Sequence, residues 1–87
     1  MITEFQIHFT SDAGIKKFQI RPEELNVGIN SMAYYQVYLD NTYLFSICPV
    51  ISIDGKNWEL IEKERAAYLP VGFVRFLGNR IDDYYVN

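Results

Sequence analysis

His8 and Cys48 are the single histidine and the single cysteine of the sequence. A cysteine nucleophile and a histidine base work as a pair only within hydrogen-bond reach. Both residues fall in segments that read as strands. In a simple four-strand meander the first and fourth strands are opposite edges, and three spacings of about 4.8 Å put the pair some 14 Å apart. His8 is therefore expected to face solvent. Cys48 is expected to be a small apolar residue, buried or half-buried, with no cation beside it in sequence to make it reactive.

Metal binding would have to combine that one histidine with carboxylates. Glu59, Glu62 and Glu64 are close in sequence, as are Asp82 and Asp83. Adjacent residues on a helix point different ways, so the aspartates cannot converge alone. Asp54-Gly55-Lys56-Asn57 lacks the remaining spacing of a calcium loop. The glycines, at 14, 28, 55, 72 and 78, are scattered, and no phosphate-cradling loop occurs. A paired-carboxylate glycosidase has little room for a sugar cleft in so short a chain. The expectation is no enzyme, no cofactor and no dedicated metal.

Aromatic residues are plentiful: seven Tyr, six Phe and one Trp. Sheets that stack RNA bases also display aromatics, but set Arg and Lys around them. No Arg or Lys occurs between residues 33 and 48, and the net charge is −3. Lys16, Lys17 and Arg21 form the one basic cluster, and Glu23 and Glu24 follow at once. That pattern suits a solvated strand edge, and no nucleic-acid partner is expected.

These residues must be positioned by strands and one helix. Phe5, Ile7 and Phe9 alternate with Glu4, Gln6 and His8, as in a half-buried strand. Ser11-Asp12-Ala13-Gly14 is a turn, and Phe18 and Ile20 alternate on the return strand. Pro22 cannot donate to a ladder and is read as the end of that strand. Residues 22–32 read as a loop that drops Leu25 and Ile29 into the core. Residues 33–39 are a strand, Asp40-Asn41 a tight type I′ turn and 42–48 the partner strand. Pro49 interrupts, leaving 50–53 as an edge continuation or a separate short strand. Asp54-Gly55 is a second turn, followed by Trp58 and Leu60 on a strand or a helix entry. Residues 61–67 are polar and helix-friendly. Pro70 suits the first position of a last helix over roughly residues 70–84.

On a helical wheel Val71, Phe73, Val74, Leu77, Ile81, Tyr84 and Tyr85 share one face. Gly78 lies on that face, where its missing side chain admits a strand. Phe76 sits among the polar residues. The fold class is α+β: a small antiparallel β-meander of four to five strands with the C-terminal amphipathic helix packed on one face. The chain, residues 1–87, reads as one complete domain.

The register of the central hairpin decides which side chains share a face. A two-residue loop puts Tyr35, Val37, Leu39, Leu44 and Cys48 together, whereas a three-residue loop puts Tyr43, Phe45 and Ile47 with Val37 and Leu39. In both cases each sheet face carries large apolar side chains, and one helix covers only one face. The other needs a loop (22–32 or 61–69), a second protomer or a partner.

One cysteine cannot form an internal disulfide, the N-terminus is not a signal peptide, and no run is long enough to cross a membrane. These features point to a cytoplasmic protein of a bacterium or a similar reducing interior. The function expected is a small protein-interaction module, most simply a homodimer, with Tyr34 and Tyr38 as anchors and Phe76 as a second contact. The alternative is a ligand- or nucleic-acid-binding regulatory domain.

Overall fold

A computed structural model describes residues 4–28, 30–65 and 67–86. Five strands run in chain order: β1 (Phe5–Ser11), β2 (Gly14–Val27), β3 (Asn30–Leu39), β4 (Thr42–Ser52) and β5 (Gly55–Lys63). One helix follows, α1 (Phe73–Val86). The strands form a single antiparallel sheet in the order β1-β2-β3-β4-β5, so every ladder joins neighbours in sequence. The sheet curls, and α1 lies in its concave side, touching β4 and both edge strands, β1 and β5. This is the α+β meander that the alternation and the wheel predict.

The turns follow their residues. Asp40 and Asn41 both have positive φ, at 52° and 64°, as a type I′ turn demands. Gly14 and Gly55 take φ of 117° and 122° at the first and last hairpins, where a side chain would be strained.

The core fills the space between the curled sheet and α1. Ile20, Val37, Phe45, Ile47, Leu77 and Ile81 are almost completely buried. Each contributes about 1.5–3 kcal/mol relative to an exposed position. The register behind this core combines both hairpin alternatives. Leu39 faces Thr42 across the two-residue turn, but a bulge then places Val37 opposite Phe45 and Tyr35 opposite Ile47. Leu44 is the extra residue, and it packs against the core alongside Phe45. A bulge kinks and twists its strand, which suits a sheet that must wrap a helix. A second bulge, at Ile61, shifts β5 against β4.

Several local expectations are overturned. Residues 22–32 are not a loop: residues 22–27 continue β2 and 30–32 begin β3, with Pro22 opposite Tyr35 and Leu25 opposite Met32. Pro22 forfeits only its own donor, and cross-strand pairing with β3 outweighs the weak β-propensity around it. Leu25 is exposed, not core, while Ile29 lies outside the described residues. Residues 61–63 are strand rather than helix. The helix starts at Phe73, three residues after Pro70, because Gly72 adopts φ +83°, incompatible with a right-handed turn. Val71, ahead of the helix, is fully exposed.

The prolines mark a different boundary from the one expected. Among the described residues the β1–β2 ladder begins at Phe5–Ile20, and the β3–β4 ladder ends at Tyr35–Ile47. Pro22 and Pro49 stand just past those points, on strands that continue, among the described residues, against β3 and β5 respectively. Pro49 thus marks where pairing with β3 stops, and neither proline marks where its strand stops. Beyond Tyr35 and Ile47 the sheet forks into two arms, the far ends of β2–β3 and of β4–β5.

Candidate functional site

Alternation, interrupted at the two bulges, sends the other strand side chains to the convex face of the sheet, away from α1. Gln19, Arg21, Glu23 and Leu25 of β2 point there, beside Tyr38, Gln36, Tyr34 and Met32 of β3. No described helix or loop packs on this face. Residues 22–32 are strand, and the segment 67–72 lies against the concave side beside Phe73, so neither provides the covering loop.

The convex face has two halves. In one, the Arg21 guanidinium stands 4.7 Å over the Tyr38 ring and donates to its hydroxyl at 3.3 Å. That hydroxyl donates in turn to Gln36 Oε1 at 3.3 Å. Tyr43 meets Tyr38 edge-on at 5.6 Å and pairs with the Ser46 hydroxyl at 2.7 Å. Burial, chiefly, raises the Tyr43 hydroxyl above its ordinary pKa. A cation thus sits over the Tyr38 ring after all, supplied by β2 across the ladder, where the 33–48 segment alone has none.

The other half lies toward the fork and is apolar. Leu25, Met32, Tyr34 and Ile61 surround a shallow concavity of about 200 Å³, with Gln36 and Glu62 at its margin. Leu25, Met32 and Ile61 are 46%, 38% and 47% exposed. This corner of aliphatic residues was missed by reading 22–32 as a loop; the pairing of Leu25 with Met32 is what creates it.

Tyr34 and Tyr38 therefore lie on one open face, as expected, one in each half. Phe76 does not join them. It lies in the helix layer, 36% exposed, with its ring 5.4 Å from Phe9 and 6.1 Å from Phe73. The wheel set Phe76 among polar residues because it records only angles about one axis; the curl of the sheet brings Phe9 of edge strand β1 around to meet it.

His8 is exposed on β1 and Cys48 is buried on β4, with two strands between them. Burial and then the Glu59 charge raise the Cys48 thiol above its ordinary pKa, which opposes thiolate formation. Asp82 is engaged in structure: it accepts from the Trp58 indole at 3.2 Å and from Lys56 Nζ. Among the described residues no three His, Cys, Asp or Glu side chains converge on a common point, and no helix is long and apolar enough to cross a membrane. No known protein-family model matches the chain, and neither curated proteins nor solved structures yield a significant match.

Proposed function

We propose that the protein is a small protein-interaction module of a reducing cytoplasm that self-associates through the convex face of its sheet. The observation that carries the reading is the apolar corner at Leu25, Met32, Tyr34 and Ile61, which no described element covers. Exposed apolar surface rimmed by polar groups is typical of interaction sites. Tyrosine suits such a place, since its ring buries area while its hydroxyl stays hydrated.

Two features favour a second copy as the occupant. Pro49 interrupts the β4 edge that faces the fork, which discourages strand addition there and favours the face itself as the contact. Charge along the face is graded: Lys17 and Arg21 lie toward the β1–β2 turn, Arg21 already paired with Glu4 at 3.9 Å, while Glu23, Glu59 and Glu62 lie nearer the fork. A twofold arrangement, the commonest in homodimers, sets the basic end of each copy toward the acidic part of the other. Those acidic groups also oppose a nucleic-acid backbone.

Light scattering at micromolar concentration tests this. The expected result is a dimer. Met32→Glu, an exposed substitution, should give a monomer with unchanged circular dichroism, and Tyr38→Ala should shift the equilibrium the same way. A monomer at every concentration overturns the proposal, as does a dimer indifferent to Met32→Glu.

A further inference from the structure

The helix does not fill the whole trough of the curled sheet. Near its N-terminal end a cavity of about 580 Å³ opens between the tip of the β3–β4 hairpin and the segment 67–72. Phe9, Phe18, Phe45, Phe73 and Phe76 supply aromatic walls, and the bulge residue Leu44 adds an aliphatic one. Its size falls within the range of small-molecule sites, which are mostly apolar with few polar groups.

The boundary of the cavity is built rather than loose. Lys63 Nζ donates to the carbonyls of Glu64, Arg65 and Ala67, at 3.1, 3.4 and 2.8 Å, and fixes the start of the segment. Its end is tied by Phe73 N–H donating to the Pro70 carbonyl at 3.1 Å. Leu69, between these ties, packs against the core.

Charge in the lining has one sign. Among the described residues Lys16 is the one charged residue of the lining and no carboxylate joins it, although the whole chain is acidic. Lys16 pairs with Phe9 on the side of β2 that faces α1, whereas Lys17 and Arg21 point the other way. The basic cluster seen in sequence is thus divided, and one of its members is turned to the mouth of an apolar cavity.

We infer that this cavity binds an amphipathic carboxylate, its hydrocarbon body among the phenylalanines and its anionic head at Lys16. The site is separate from the convex face, and its occupancy does not depend on self-association.

Decanoate, decanol and decyltrimethylammonium share a tail and differ in head charge. Each is titrated into the labelled full chain below its micelle concentration, with amide NMR shifts as the readout. Decanoate should bind saturably and tightest and the quaternary amine weakest, with shifts confined to the cavity lining: Phe9, Lys16 and Phe18, the β3–β4 tip, 67–73 and Phe76. Lys16→Glu, an exposed substitution compatible with the fold, should weaken decanoate about tenfold or more and reverse the order of the two charged probes. Equal binding of all three, shifts spread over the convex face, no saturation by about 1 mM, or indifference to Lys16→Glu would each overturn the assignment.

Discussion

The Trp58 indole packs directly on the backbone of Gly78. A Cβ built at position 78 would lie 2.1 Å from Trp58 Cγ. The contact joins the last strand to the middle of α1, and Asp82, one turn later, holds the indole N–H at 3.2 Å. Position 78 is therefore a spacing element, chosen for its lack of volume.

The first prediction follows from that distance. In an ordinary helix Gly→Ala gains up to about 1 kcal/mol. At Gly78 the added methyl must displace the indole, and overpacking costs about 1–3 kcal/mol. Gly78→Ala should lower stability in urea, and combining it with Trp58→Leu should cost less than the sum of the two. A stabilised Gly78→Ala protein would show that the indole moves aside freely.

Asn41, with its positive φ of 64°, gives a second prediction. A β-branched residue there pays the left-handed penalty of about 1–2 kcal/mol. Asn41→Val should destabilise by that amount, while Asn41→Gly should hold or raise stability. Equal denaturation midpoints for both variants would mean that the turn relaxes to another type.

Alkaline pH should weaken the fold. Burial is the main cause holding Tyr35, Tyr43 and Tyr85 above their ordinary pKa of 10.0, and Cys48 above its 9.0. The folded chain keeps these protons more tightly than the unfolded chain. Their contribution is complete below about pH 9 and is lost as pH climbs through and past the ordinary values. Urea midpoints should be flat from neutral pH to about 9 and fall beyond it. A rise above pH 9 would contradict the assigned direction.

Cys48 is 6% exposed with a raised pKa, so labelling by a thiol reagent at neutral pH should be slow and should accelerate with unfolding. Rapid labelling of the folded chain would reopen the case for a reactive cysteine.

Much of the fold was legible because it rests on local signals. The alternation at Phe5, Ile7 and Phe9, the Asp40-Asn41 turn and the Leu77–Ile81 stripe each depend on residues close in sequence. What escaped depends on partners distant in sequence. Pro22 looks like a strand end until Tyr35 is placed opposite it. Leu25 looks like core until its partner proves to be Met32 on an open face. Neither hairpin register alone could be chosen, because the bulge at Leu44 uses one near the turn and the other beyond it. The candidate site was half legible: Tyr34 and Tyr38 follow from alternation, whereas the placement of Phe76 needs the curl of the sheet.

Every ladder joins strands adjacent in sequence, and among the described elements α1 alone spans from the first strand to the last. During synthesis the hairpins can therefore zip one after another as they leave the ribosome, at little cost in loop entropy. The same order leaves the trough with Ile20, Val37, Phe45 and Ile47 bare until the chain has been made beyond β5. The nascent protein passes through a stage that is well paired in its backbone and uncovered in its core, the kind of species that chaperones hold and aggregates recruit. A chain ended after Lys63, lacking α1, would display that stage.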